Sequence, residues 1–328
     1  MRERPSVCVT NRNRTKHGAS RVDLRGKLSQ SQAGEPSQRH CASPSPPLSA
    51  VAALLSSDAS AGSTATTVAA SWTTKLAQAR QRVISRPYPV VEAEQFEKSW
   101  PTMSRPVALA CSDVQTYVVK YLGVPGVDMS HALVTEHVAG RLGPLLGCPI
   151  PPCALVNIPA ALTALEPQLA HVVPGPSHGL RYMRDCGERE VIGAPRTDQN
   201  RASYGPLALL YGWFHASDHQ IISSTADQSV YSVDHGLFLP GSYNWTSAAL
   251  VTAAPPVPEP LFAQHCQTDQ IAEASAKLAS ISDETIAEAM SSVPVEWGVA
   301  DSDLIALGEY LSQRRDILTS AISSTKGP

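Results

Sequence analysis

The stretch Thr116 to Gly123, TYVVKYLG, alternates as a β-strand does, with Tyr117, Val119 and Tyr121 on one face and Val118, Lys120 and Leu122 on the other. A lysine between two aliphatics on an inward-looking face needs an anionic partner, because an unpaired buried cation is costly. That requirement constrains the rest of the chain. A preceding strand, Pro106 to Ser112, is joined to it by Asp113-Val114-Gln115, a hairpin by spacing. The next block supplies a carboxylate. MSHALVTEHVAGRLGPLLG reads as a helix from Ser130 to about Leu146, with Ser130 as N-cap and Leu133, Val134, Val138 and Leu142 at helical spacing. Glu136 lies on this helix beside the apolar stripe.

CPIPPCALVNIP then reads as a return strand, Ala154 to Ile158, bounded by prolines. Pro159 to Arg201 is a proline- and glycine-rich middle. YGPLALLYGWFHASDHQIISS predicts a buried helix, Pro206 to His215, ending in a polar loop, and SVYSVDHG a short strand ending on Asp234-His235-Gly236. Three helical patterns close the chain, at about Phe262 to Ile281, Ser282 to Ser292 and Ser302 to Ile322, the last two with Ser and Asp at their starts. Strands, one helix, a strand, then mostly helices make an α+β, two-lobed layout with a β-rich N-lobe and a mainly helical C-lobe.

Phosphoryl transfer needs a cation on the nucleotide phosphates, a carboxylate to hold that cation, a base for the acceptor and a carboxylate for Mg²⁺. The chain offers one candidate for each, in the order found in protein kinases: Lys120 on a strand, Glu136 on the next helix, Asp218 in a loop and Asp234 before a glycine. Taken singly, each has a plainer reading as a solvated strand lysine, a helix-surface glutamate or a turn aspartate. Their shared order raises them above it.

YVVKYLG with the downstream TEHVAGRLGPLLGCPIP, then LYGWFHASDHQII, then YSVDHGLFLPG resemble the HipA-like kinase family, related to the HipA toxin kinases and more distantly to phosphatidylinositol kinases. The resemblance extends over roughly Met103 to Arg315. It implies a two-lobed protein-kinase-like fold using ATP and Mg²⁺. Lys120 would contact the phosphates and Glu136 pair with it. Asp218 would be the catalytic aspartate and Asp234 a Mg²⁺ ligand. Val156, Asn157 and Ile158 would form the hinge that receives the adenine. His219 and His235 would orient the aspartates beside them or serve as structural histidines. Two features depart from the family pattern. The place of a second metal-binding asparagine after Asp218 holds Ile222 and Ser223, so that Gln220 or Ser223 would have to substitute. The loop SWPTMSRP, where a phosphate loop belongs, lacks glycine and leaves Ser104 and backbone N–H groups to cradle phosphate. The implied function is an ATP- and Mg²⁺-dependent kinase acting on a hydroxyl of a protein or a small molecule. The alternative is a catalytically silent pseudokinase that binds nucleotide as an interaction module, and a third reading disperses the four residues in a plain structural domain.

The organisation expected is a disordered extension over 1–74, a lead-in helix and linker over 75–103, and a kinase domain over 104–322, with its N-lobe at about 104–158 and C-lobe at about 159–322. Residues 1–74 are rich in Ser, Ala, Arg, Thr and Pro with almost no aromatics, too little apolar surface to offset the entropy of ordering. A net charge of −3 gives no footprint for a nucleic-acid or anionic membrane partner. No run approaches the roughly 18 to 20 apolar residues of a membrane span, and a cytoplasmic location is expected. The seven cysteines are scattered and read as mostly reduced and structural. HASDH places His215 and His219 four apart as in zinc helices, but Ala216 stands where such motifs need glutamate.

Overall fold

The computed structural model describes residues 72–83, 88–189 and 197–324. Residues 1–71, most of the expected N-terminal extension, lie outside them. The first described segment is a helix, α1 (72–83). Trp72, Leu76 and Ala79 are buried along one of its faces. Next come β1 (Val90–Ser99), β2 (Val107–Cys111), β3 (Thr116–Lys120), α2 (Ser130–Leu146), β4 (Cys153–Ile158), α3 (Ala160–Leu165) and β5 (Gly175–Arg181). The five strands close into a barrel in the order β1-β2-β3-β5-β4, with β1 pairing antiparallel to β2 and parallel to β4. β1 changes register against β2 twice, near Ala93 and Phe96, irregularities of the kind that let one strand curl around a small barrel.

Closure corrects two expected boundaries. β1 is a barrel strand, so the β-rich lobe begins at Val90 instead of Ser104. β5 completes the barrel between β3 and β4, so the lobe runs on to Arg181 instead of ending near Ile158. The sequence GPSHGLR has two glycines, a proline and no alternation, and is a poor strand by propensity. Tertiary fit overrides propensity here. A Cβ on Gly179 would lie 2.7 Å from Val156 Cγ2 and 3.2 Å from Tyr117 Cβ, so the strand closes the barrel because that residue has no side chain.

The second part begins with β6 (Cys186–Arg189), α4 (Asp198–Phe214), β7 (Ile221–Ser224) and β8 (Val230–Ser232). β6, β7 and β8 form a small antiparallel sheet. It continues with α5 (Ser247–Val251), α6 (Pro260–Ala263), α7 (Thr268–Ser280), α8 (Asp283–Ser291) and α9 (Asp301–Ser324). α4 starts eight residues before the expected Pro206. Thr197 caps it by accepting from Asn200 N at 3.2 Å, and Pro206 sits inside the helix, where it withholds one backbone donor. The first tail pattern is two helices, α6 and α7, and Ser282 caps α8 as expected, accepting from Thr285 N at 3.2 Å.

α1 docks on this helical part. The Trp72 ring lies over Gly308 of α9, while Lys75 pairs with Asp283 at 3.0 Å and Arg80 with Asp301 at 2.6 Å. α2 is buried nearly all round, between the barrel and the C-terminal helices. It is therefore held by both lobes, and Glu136 is carried at their junction. Among the described residues no helix is long and apolar enough to cross a membrane.

Candidate functional site

Lys120 is the last residue of β3 and points into the cleft between the lobes, while Tyr117 and Val119, one strand position out of phase, are buried in the core. Its Nζ contacts Glu136 Oε1 of α2 and Asp234 Oδ1 of the segment after β8. Glu136 is fully buried and also accepts from the backbone N–H groups of His235 and Gly236, at 2.9 Å each. One carboxylate thus ties β3, α2 and the Asp234 segment together. Burial alone pushes the Glu136 carboxyl up, but the Lys120 ammonium beside it and the bonding from His235 hold it well below the usual carboxylate range. Burial likewise pulls Lys120 down, and Asp234 and Glu136 outweigh it, so the ammonium stays charged.

Asp234 adopts a left-handed backbone conformation, φ 57°. Aspartate is one of the few non-glycine residues that visit this region, and the turn projects its side chain into the cleft while the following two N–H groups face Glu136. Asp218 follows α4, which ends at His215 in the same conformation, φ 73°. Its Oδ1 accepts from His219 N at 2.8 Å and its Oδ2 from Gln220 Nε2 at 2.9 Å. The His219 ring stacks on Tyr211 of α4, centroids 5.3 Å apart, and its Nε2 lies 3.3 Å from Glu259 Oε2.

The cleft has two continuous parts. The inner part is lined by Val118, Lys120, Glu136, His178, Leu180 to Met183, Ile222, Val233 and Asp234. The outer part holds Met103, Ser104, Asp218, His219, Leu237 and Tyr243. Thr102, Gln220, Ile222, Val233 and Asp234 border both. The β1–β2 connection, with Thr102, Met103 and Ser104, covers this boundary. Trp100 N bonded to Pro106 O at 3.1 Å and Tyr121 Oη bonded to Arg105 O at 2.7 Å fix that loop without glycine.

Lys120, Glu136, Asp218, Asp234, Gln220 and Ser104 therefore converge on one cleft. Val156, Asn157 and Ile158 do not. β4 is paired on one edge with β1 and on the other with β5, and none of the three lines the cleft. The link between the lobes is instead the end of β5, Leu180 to Met183, which leaves the barrel along the cleft wall. Sequence reasoning missed it with β5 itself. Ser223 is buried within β7 and is likewise absent from the cleft lining. His178, also unforeseen, is buried beside Lys120 in the β3–β5 register, and burial pushes its imidazole down to about 4, so it is neutral. Among the described residues no three His, Cys, Asp or Glu side chains gather to hold a metal by themselves.

No curated protein matches the chain. Among solved structures, the Helicobacter pylori proinflammatory kinase CtkA aligns over 72% of this chain and 97% of its own, with a TM-score of 0.50 at 10% identity. That likeness concerns the fold alone. The Golgi casein kinase with Mn/ADP bound aligns over 73% of this chain and 74% of its own at 11% identity, and its TM-score of 0.34 is too low to carry an argument. The HipA-like kinase family profile matches residues 93–323, which takes in the barrel, the cleft and the C-terminal helices. The chain belongs to the HipA-like kinase family.

Proposed function

We propose that the cleft binds ATP with Mg²⁺ and transfers the γ-phosphoryl group to a hydroxyl acceptor. The observation that carries this reading is the meeting of Lys120, Glu136 and Asp234 in one buried cluster that opens onto Asp218. The inner cleft suits the base. Val118, Leu180, Ile222 and Val233 offer apolar walls, and the backbone of the Leu180 to Met183 link offers the polar groups that would fix its orientation. Lys120, held by Glu136, is placed to meet the phosphates at the cleft's midpoint.

The donors present fit magnesium. This hard ion binds through one or two carboxylates together with substrate phosphates and water, so the lack of a three-residue cage is compatible with it. Asp234 would hold it, with the Gln220 side-chain oxygen as a second donor, since Gln220 Nε2 is directed to Asp218. Bound there, Mg²⁺ supplies charge neutralisation on the transferred phosphoryl. Asp218 orients the acceptor hydroxyl and takes its proton as that oxygen bonds to the γ-phosphorus and the bond to the ADP oxygen breaks. Ser104 and the loop around it close the outer part over the transferring group.

A second reading, a nucleotide-binding module without turnover, draws on the burial of Ser223 away from the cleft and on the glycine-free loop. Purified protein incubated with γ-labelled ATP and Mg²⁺ discriminates. Label transferred to the protein itself or to a hydroxyl peptide, and abolished by Asp218→Ala, supports the kinase. Mg²⁺-dependent ADP binding without transfer supports the module, and absence of nucleotide binding refutes both.

A further inference from the structure

A chain of buried polar side chains runs from Glu136 to the loop that carries Asp218. His235 N–H donates to Glu136 Oε2 at 2.9 Å, its Nδ1 lies 3.5 Å from the same oxygen without a hydrogen bond, and its Nε2 is 3.0 Å from Ser232 Oγ. Ser232 Oγ is 2.8 Å from Tyr211 Oη. The Tyr211 ring stacks on His219, and its hydroxyl lies 3.4 Å from the carbonyl oxygen of Gln220, which also accepts from Val233 N at 3.1 Å. Glu136, His235, Ser232 and Tyr211 are all essentially inaccessible to solvent. Phe238, itself buried, packs its ring at 4.9 Å from His235 and 4.5 Å from Tyr211, which keeps water off the chain.

Four polar groups in an apolar sleeve are costly unless each is satisfied, and hydrogen bonds formed in such a setting are stiff and directional. The Gln220 carbonyl oxygen only accepts, so the Tyr211 hydroxyl donates to it. Ser232 then donates to Tyr211 Oη, and His235 Nε2–H donates to Ser232 Oγ. The chain joins the two halves of the machinery: the Lys120–Glu136 pair on the barrel side, and Asp218, His219 and Gln220 on the helical side.

We infer that Tyr211, Ser232 and His235 are positioning residues that set the Asp218 loop against the Lys120–Glu136 pair through this hydrogen-bonded chain. The inference rests on the kinase reading for its effect on turnover, but the chain itself is measurable without it. Tyr211→Phe removes one hydroxyl and keeps the ring on His219. Ser232→Ala removes the central link. Neither touches Lys120, Glu136, Asp218 or Asp234.

The test is a double-mutant cycle with steady-state kinetics, with the thermal midpoint of each variant recorded alongside. Each single variant lowers kcat by about ten-fold while KM for ATP stays within about two-fold. The double variant falls no further than the worse single, because both break one chain. An unchanged kcat in Tyr211→Phe, or single effects that multiply to about a hundred-fold, overturns the inference. Nitrogen NMR of histidine-labelled protein reads the same chain independently of catalysis. The expected His235 signal is a protonated Nε2 in the wild type that shifts in Ser232→Ala, where its acceptor is gone. A bare Nε2 in the wild type, or a spectrum that Ser232→Ala leaves unchanged, overturns it. Wild-type protein with no transferase activity refutes the kinase reading, and the nitrogen signals alone then uphold or overturn the chain.

Discussion

Replacing Lys120 with methionine should turn Glu136 from a stabilising group into a destabilising one, and the change should be visible in how stability depends on pH. In the wild type the carboxylate has one ammonium and two backbone N–H donors, and its pKa lies well below the ordinary 4.5. A carboxyl whose pKa is depressed on folding contributes stability that is complete above about pH 4.5 and is lost only as pH falls through the folded value. Between pH 8 and pH 5 this group therefore leaves wild-type stability flat. Lys120→Met removes the counterion and keeps the burial, which alone pushes the carboxyl up. Stripping one partner from a buried pair costs about 3–5 kcal/mol, somewhat less here because two N–H bonds remain. With a raised folded pKa the variant takes up a proton on folding, so it recovers stability as pH falls, at about 1.4 kcal/mol for each unit of the rise. Urea unfolding of both proteins at pH 8 and pH 5, with midpoints and slopes fitted separately, should give a deficit of about 3–4 kcal/mol at pH 8 that narrows by about 1–2 kcal/mol at pH 5. Other titrating groups largely cancel in the difference. A deficit below about 1 kcal/mol, or one equal at both pH values, would refute the reasoning that Glu136 is held ionised by Lys120.

Asp234→Asn keeps the size of the side chain and removes its charge; ADP binding by calorimetry should lose its Mg²⁺ enhancement while metal-free binding persists. Gly308→Ala places a Cβ about 2.5 Å from the Trp72 ring and 2.8 Å from Met290 Cε. It should free α1 from the helical lobe, seen as faster hydrogen exchange over residues 72–83 with little change in α4. Gly179→Val should lower stability by about 1–3 kcal/mol through overpacking against Val156 and Tyr117, read as a fall in the thermal midpoint. Asp301→Ala breaks an exposed pair with Arg80 and should cost under about 1 kcal/mol, which chemical denaturation resolves.

The elements legible in the sequence were those whose own residues decide them. β2, β3, α2 and β4 announce themselves by period and punctuation, and so do the capped helices of the tail. β5 is opaque because its fitness as a strand lies in what it lacks: Gly179 fits against the side chains of Val156 and Tyr117, which are 23 and 62 residues away in sequence. The hinge went with it. β4, read as a return strand, was assigned the adenine, and the interior place it holds between β1 and β5 could be known only once β5 was seen to pair with it. α4 shows the opposite failure, where a true local signal, proline as a helix start, was outweighed by the Thr197 cap further upstream.

The site divides along the same line. Lys120 and Glu136 could be paired from sequence because a lysine on an inward-looking face needs an anionic partner and because the two fall in the chain order of the kinases the sequence resembles. Asp234 could be placed in the cleft, but its contact with Lys120 could not, since that depends on the left-handed turn at Asp234 and on the two N–H groups that follow it and bind Glu136. Gln220 and Ser223 were equivalent candidates as residue types. The strand β7 separates them, because it begins after Gln220, leaves that side chain at the cleft and buries Ser223 in the sheet. The polar chain through His235, Ser232 and Tyr211 joins residues up to about a hundred positions from Glu136. No spacing rule reaches that far, yet each member is the residue type its position demands: hydroxyls and imidazoles that accept and donate at once. A phenylalanine at 235 would fill the same space against Phe238 and keep the backbone N–H on Glu136, but would leave Ser232 Oγ without its imidazole partner. In this protein the segment after Asp234 is therefore held by hydrogen bonds as well as by packing, and its position should respond to loss of a single hydroxyl.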